Sequence, residues 1–271
     1  MTAETEYVLG TADAEIQRLG LQHAVWRSDA TQAWRTAGFR SGNVIIDVGS
    51  GPGFATLDLA ELVGRSGSVH AIDQSARFAA HTESQAAARK LENVVTTIAD
   101  LDEFAFEGLA ADGAWIRWVL AFVRQPRRVL SKVATALRPG GRIAIHEYFA
   151  YETWKVLPRD DEFERFVGAV MQSWRRRGGE PNVGLSLVPW LEELGFQVLA
   201  TRTIAELLRP TDSRWYWPTT FALSGVNRLV ELGEYSPAEG QRLQMHMREM
   251  FATDRWMFAP AVLEVIAERG D

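Results

Sequence analysis

Residues 44–54 read VIIDVGSGPGF. The β-branched, apolar run from Val44 to Val48 fits a strand buried on both faces, and the glycines that follow demand a tight turn. Residues 54–63, FATLDLAELV, return to helical spacing. A strand that passes through a glycine turn into a helix is how an open α/β sheet makes a ligand crevice at its strand carboxyl ends. Gly49, Gly51 and Gly53 permit positive φ and let a ligand lie against bare backbone. The helix start behind them offers unpaired N–H groups and a partial positive charge.

The same alternation extends outward. SVHAID (68–73), NVVTTIAD (93–100), GAWIRWVL (113–120) and RIAIHEYF (142–149) read as strands, the third together with its exit. Residues 11–37, 75–90 and 126–137 read as helices, the last ending at Arg138-Pro139-Gly140-Gly141. Strands alternating with helices imply parallel βαβ units, and right-handed crossovers restrict these to a doubly wound α/β fold. Beyond Tyr151 the pattern loosens. Residues 160–176 read as an amphipathic helix, 186–204 as helix, glycine stop and strand, 212–252 as mostly helical, and 258–269 as a last strand. The expected organisation is an N-terminal helical cap (1–40), a cofactor-binding core (41–150), a helical insert (151–185), and the rest of the core (186–271) carrying a helical substrate-cap insert at about 205–255.

Composition narrows the function. With 46% hydrophobic and 24% charged residues in 271, the chain can bury a sizeable core. Its net charge of -6 gives no general drive toward nucleic acid or anionic lipid. It has no cysteine, so disulfides, thiolate metal sites and cysteine nucleophiles are excluded. The acidic N-terminal stretch lacks an apolar segment, and no run approaches 18 apolar residues; a cytoplasmic protein without a membrane span is expected. His70, His81 and His246 show no ligand spacing, so no metal is expected. Arg175-Arg176-Arg177 stands at a helix end, where cations complement the dipole; it reads as a solvated end rather than a nucleic-acid patch.

Spacing also separates the possible ligands. The dinucleotide fingerprint is G-x-G-x-x-G, whereas here the glycines give G-x-G-x-G and Phe54 stands where the third glycine belongs. Asp47 places a carboxylate beside the turn, unfavourable to a pyrophosphate and suited to a cation. Asp73, at the end of the second strand, can accept from both ribose hydroxyls, or serve as a strand-end cap. Asp100, at the end of the third, can accept from an adenine amino group, or form an Asx turn.

In order and spacing, VIIDVGSGPGF, SVHAID, TTIAD and the later stretch through LRPGG to IHEY resemble the class I S-adenosylmethionine-dependent methyltransferases of small-molecule type. The resemblance covers residues 40–150 well and the rest loosely. It implies a mainly parallel seven-stranded, Rossmann-like sheet. Its cofactor is S-adenosyl-L-methionine, a sulfonium without phosphate, with S-adenosyl-L-homocysteine as product. It would set the methionine moiety at Gly49, Gly51 and Gly53 near Asp47, the ribose at Asp73, and the adenine at Asp100 and Leu101, bordered by Gln74. The backbone around Arg117 would face the methionine end. The N-terminal segment is expected to cover the crevice, with Tyr7, Arg18, Gln22, His23 and Trp26 as candidate contacts.

His146 and Glu147 follow the fifth strand and are the candidate general base or substrate anchor; catalysis by proximity alone is the alternative. The ten tryptophans lie mostly outside the core motifs. The clusters Tyr148, Phe149, Tyr151, Trp154 and Trp215, Tyr216, Trp217, Phe221, Trp256, Phe258 form either walls for an aromatic or apolar acceptor or a packed cap. The resulting expectation is methyl transfer to O, N or C of a small, aromatic or apolar metabolite, with oligomeric state left open. Two alternatives stay open: a cofactor-binding fold member that does not methylate, and an NAD(P)-dependent oxidoreductase.

Overall fold

The computed structural model describes residues 13–270. A 24-residue helix, α1 (Asp13–Thr36), precedes the core. The core then alternates β1 (Val44–Val48), α2 (Phe54–Val63), β2 (Ser68–Asp73), α3 (Ala76–Ala88), β3 (Val94–Ile98), β4 (Ala111–Arg117), α4 (Pro126–Ala136) and β5 (Leu137–Tyr148). Next come β6 (Lys155–Leu157), α5 (Asp161–Arg176), α6 (Gly184–Glu193), β7 (Phe196–Ile204) and β8 (Leu207–Leu208). The chain closes with α7 (Tyr216–Glu231), α8 (Pro237–Phe251), β9 (Trp256–Phe258) and β10 (Val262–Arg269).

Seven strands form one sheet in the order β3-β2-β1-β4-β5-β10-β7. The first five are parallel, and β10 inserts antiparallel between β5 and β7. The strand order reverses between β1 and β4, so the crevice of a doubly wound sheet opens there, at the carboxyl ends. The strands of the sheet centre are buried on both faces, as their unbroken β-branched runs require: Ile45, Ile46, Val48, Ile143, Ala144 and Ile145 have no exposed surface. A three-stranded sheet, β6-β9-β8, gathers the pieces inserted after β5 and β7.

Helix boundaries follow local chemistry. Ser75 caps α3 by accepting from the Phe78 N–H at 3.2 Å, and Asp160 caps α5 by accepting from Phe163 N–H at 2.9 Å. Ser236 and Glu239 close a reciprocal capping box on α8. Gly64 ends α2 with φ 63°.

The cap is anchored by a buried polar network. His146 on β5 donates Nε2–H to Glu264 on β10 at 2.8 Å. Arg202 on β7 forks onto the same carboxylate at 3.1 and 2.8 Å and reaches Asp29 on α1 at 3.0 Å. Asp29 also accepts from Arg214, whose guanidinium lies 4.4 Å from the Trp26 ring centroid. Burial lowers the His146 pKa, so the imidazole is neutral at pH 7. Burial raises Glu264, but the hydrogen bonds from His146 and Arg202 outweigh it and bring the carboxyl down to about 2. With His146 neutral, Arg202 supplies the charge.

Most rings of the two aromatic clusters pack together, while Tyr216 and Trp256 stand exposed. Trp26, Trp154 and Tyr151 are 0–1% exposed. Trp217 lies edge-on to Trp26 at 4.8 Å and stacked on Trp118 at 5.6 Å, and Tyr151 meets Trp174 at 5.1 Å. These rings form the core between α1, α5 and α7, and they hold the helical cap on the sheet. Among the described residues no helix is long and apolar enough to cross a membrane.

Removing the Glu264 carboxylate leaves the buried His146 Nε2–H without its acceptor and leaves Arg202, one third exposed, with Asp29 alone. Glu264→Ala is expected to lower unfolding free energy by about 1–2 kcal/mol, read as a drop of a few degrees in Tm by thermal unfolding. A variant as stable as the wild type would show that the network carries no net stability.

Candidate functional site

The glycine turn is pinned against the second strand. The N–H groups of Gly49 and Ser50 both donate to the Ile72 carbonyl, at 2.8 and 3.0 Å. Gly51 N–H donates to Asp73 Oδ2 at 2.8 Å, while Ser75 N–H donates to Oδ1 at 2.9 Å. Gly49 and Gly51 have φ of 66° and 55°, where a side chain is strained. A Cβ on Gly49 would stand 2.4 Å from Val119 Cγ2, whereas one on Gly51 would meet nothing within 4 Å. Gly51 thus leaves open space at the surface of a cavity; Gly49 makes room for the loop after β4.

That cavity has a volume of about 530 Å³. Of the residues singled out by sequence for the cofactor, Asp47, Gly49, Gly51, Asp73, Gln74, Asp100, Leu101, Arg117 and Gln22 all line it. Gly53 does not. It caps α2 with φ 82°, and a Cβ there would lie 2.2 Å from Thr82 Oγ1, so its lack of a side chain serves the packing of α2 on α3. Tyr7 lies outside the described residues. His23 joins the lining; Arg18 instead pairs with Glu15 and Gln22, and Trp26 is enclosed in the aromatic core.

The inner wall is acidic. Asp47 is 2% exposed and accepts from Thr56 Oγ1 at 2.6 Å. Burial pushes its carboxyl up to about 6, against the Thr56 hydrogen bond and the attraction of Arg117. Asp73 is raised by the same cause, offset by its backbone N–H donors. Asp100 forms the Asx turn, accepting from Asp102 N–H at 2.9 Å, and still faces the cavity. Asp102 accepts from the N–H groups of Arg124 and Gln125, tying the start of α4 to the third strand.

Arg117 is the cation among these acids. Burial lowers its pKa to about 10, with Asp47 pulling the other way. Its Nη2 donates to His23 Nδ1 at 2.9 Å, and among the described residues its Nη1 is buried without a partner. His23 Nε2–H in turn donates to Asp58 at 3.0 Å. Burial, and then Arg117, lower the His23 pKa against the pull of Asp58. The imidazole is therefore neutral with both nitrogens engaged. A guanidinium desolvated this far with a free donor pair is costly unless an anion completes it.

His146 and Glu147 do not line the cavity. Both have no exposed surface. His146 lies behind Trp26 and Trp115, its ring centroid 4.9 Å from that of Trp115. Glu147 accepts from the N–H groups of Val119 and Leu120 at 2.6 and 2.5 Å. Burial pushes its carboxyl up to about 7 against those donors. Both residues stand at the crevice end of β5, but Trp115 packs on His146 and the loop after β4 binds Glu147, so neither side chain reaches the cavity.

Sequence reasoning passed over Leu19, Trp115, Trp118, Val119, Phe122, Val123, Arg124, Arg177 and Arg228, which also line it. Trp118 through Arg124 directly follow a core strand, a position that could have signalled them. The arginine triplet divides: Arg175 pairs with Glu180 and Arg176 with Glu234 on the surface, while Arg177 turns to the cavity.

A methyltransferase-domain family model matches residues 39–174, half of the chain. The chain belongs to the class I S-adenosylmethionine-dependent methyltransferase family. It is 26% identical over 191 residues to Methyltransferase str2 of Strobilurus tenacellus, an alignment covering 70% of this chain and 66% of that protein. The chain spans less than two thirds of the length of the first curated relatives it matches. Its fold is shared with geranyl diphosphate C-methyltransferase from Streptomyces coelicolor at TM-score 0.58 and 13% identity, covering 91% of this chain and 81% of that one. It is shared equally with the [4+2]-cyclase SpnF at TM-score 0.57 and 18% identity, covering 89% and 79%.

The cost of burying Asp47 gives a direct test of the site's electrostatics. Its pKa is raised on folding, so the native state holds this proton more tightly and loses stability as pH rises from about 4 to about 6. Asp47→Asn is expected to gain about 2 kcal/mol over wild type at pH 7 and far less at pH 4, measured by thermal unfolding at both pH values. Equal effects at the two pH values would exclude a buried charge as the cause.

Proposed function

We propose that this cavity binds S-adenosylmethionine and that the chain transfers its methyl group to a small molecule. The observation that carries the reading is the pairing of opposite charges at the inner wall: the buried carboxylate of Asp47 beside the incompletely partnered guanidinium of Arg117. A dinucleotide would bring a pyrophosphate to Asp47, whereas an amino-acid moiety brings an ammonium and a carboxylate together. The side-chain-free surface at Gly51 supports a ligand lying against the turn.

In this reading Asp73 accepts from the ribose hydroxyls with the lone pairs its two backbone donors leave free. Asp100, Leu101 and Gln74 border the adenine, and Gln22 closes over from α1. Arg117 takes the methionine carboxylate, and His23, fixed by Asp58, holds the guanidinium in place. When bound, the cofactor supplies an electrophilic methyl on a sulfonium. The chain's part is to hold donor and acceptor in line and to exclude water through Trp118, Phe122 and α1. Among the described residues no unengaged histidine lines the cavity: His23 has both nitrogens occupied, and His146 and Glu147 lie outside the lining. We assign His146 to anchoring the cap and Glu147 to holding the loop after β4, and the acceptor's proton passes to solvent.

The absence of an unengaged histidine from the cavity lining favours one second reading, a fold member that holds the cofactor without transferring methyl. Formation of S-adenosylhomocysteine when an acceptor is supplied rejects it.

Calorimetric titration tests the assignment of Arg117. Arg117→Met is expected to weaken S-adenosylhomocysteine about 10- to 100-fold, the worth of a charge-assisted hydrogen bond, and to leave 5′-methylthioadenosine, which lacks the amino-acid moiety, within about twofold. Equal loss of both ligands would make Arg117 a structural residue only. Gly51→Ala is expected to fold, at a strain cost of about 1–2 kcal/mol, and to lose both ligands; retained binding would place the ligand away from the turn.

A further inference from the structure

The cavity's charges are segregated by the elements that supply them. Its acids, Asp47, Asp73, Asp100 and Asp102, all come from the ends of β1, β2 and β3 or just beyond. The charged residues that the α5 and α7 side of the cap presents are both arginines: Arg177, directly after α5, and Arg228 on α7. This is unexpected in a chain of net charge -6.

The arginines differ in how far they are already satisfied. Arg124 is neutralised by Asp102, 3.2 Å from its Nε, and by Asp100 at 3.6 Å. Arg228 pairs with Glu231 at 2.8 Å, a partner that is itself mostly exposed. Arg177 donates Nη1 to the Ser173 carbonyl and hydroxyl at 3.0 and 2.9 Å. Among the described residues no carboxylate lies within ion-pair distance of Arg177, and its Nε and Nη2 carry no hydrogen bond. The backbone holds it beside the loop after β4: a Cβ on Gly178 would stand 3.2 Å from Arg124 Cγ, and one on Gly179 would stand 2.4 Å from the Ala121 carbonyl. Trp118, Phe122 and Val123 supply apolar lining to the same cavity.

We propose that the methyl acceptor is an anion, a carboxylate or a phosphate ester on an apolar body, whose charged group is held by Arg177 and Arg228 while its body lies on Trp118 and Phe122. The proposal rests on the reading of this cavity as a cofactor and acceptor site. A planar guanidinium with its fork unoccupied is matched by a carboxylate or phosphate, and a neutral group gains much less from it. The acids stand at the strand ends and Arg177 and Arg228 on the cap side, so a cationic cofactor and an anionic acceptor would each meet charge of the opposite sign.

The test uses three probes of one shape: 2-naphthoate, 2-naphthyl phosphate and the neutral 2-naphthamide. Each is titrated by tryptophan fluorescence into the wild-type chain at saturating S-adenosylhomocysteine. At least one anion is expected to bind tenfold or more tighter than the amide, and which of the two does so distinguishes carboxylate from phosphate. Arg177→Gln is expected to cut this preference below threefold, and Arg177→Lys, which keeps the charge but not the fork, to leave it intermediate. Arg165→Gln, on the exposed face of α5 and outside the cavity, is expected to leave it intact. An amide that binds as tightly as both anions, anions indifferent to Arg177→Gln, or no binding of any probe at millimolar concentration would overturn the proposal. Failure of S-adenosylhomocysteine itself to bind would instead refute the cofactor reading; the anion preference is then read in the unliganded cavity by the same variants.

Discussion

The glycine turn after β1 exists as a binding surface because β2 pins it. Two N–H groups of the turn converge on the Ile72 carbonyl and a third on the Asp73 carboxylate. These bonds fix positive φ at Gly49 and Gly51, aim the start of α2 at the crevice, and leave the face of Gly51 bare. Asp73 therefore shapes the turn and lines the cavity with the same carboxylate. The parallel register of β1 with β2 and β4 brings Asp47, Asp73 and Arg117 to one edge, and the rest of the site is arranged around that edge.

The energetic character of the site follows from burial without full compensation. Asp47 and Asp73 are held above the ordinary carboxylate range, and Arg117 below the ordinary guanidinium range, each with burial as the leading cause. Groups kept this way cost stability in the empty protein and favour a ligand that completes them. The His146–Glu264–Arg202–Asp29–Arg214 network is the contrast. There each charge is matched, and the result is an anchor that fastens α1 and the cap to the sheet. The cavity and this anchor meet at Trp115, which lines the first and packs against His146 of the second.

The core was largely legible in the sequence because it is governed by local rules. Glycines at a strand end, β-branched runs and a carboxylate at each of three strand ends determine the turn, the sheet and the acid wall almost independently of distant contacts. What sequence could not resolve depended on tertiary layering. His146 and Glu147 stand at the correct end of the correct strand, yet the loop 118–123 folds over them. The aromatic segments after Tyr148 carry no periodicity that distinguishes a wall from a packed core; Tyr151, Trp154, Trp215, Trp217 and Phe221 pack in the core, while Tyr216 and Trp256 stand exposed. Arg175, Arg176 and Arg177 are identical in composition and differ only in direction, which the break at Gly178-Gly179 sets.

The central claim is that the cavity selects an adenosyl amino acid over a dinucleotide, and parallel thermal unfolding tests it most directly. With S-adenosylmethionine, S-adenosylhomocysteine and NAD(P) each at about 100 times a dissociation constant, a true ligand stabilises by about 2.7 kcal/mol, a shift of several degrees in a chain of this size. The account predicts a shift with the two adenosyl amino acids alone, weakened in Asp73→Ala. A shift with NAD(P) alone, or with none of the ligands, would contradict it.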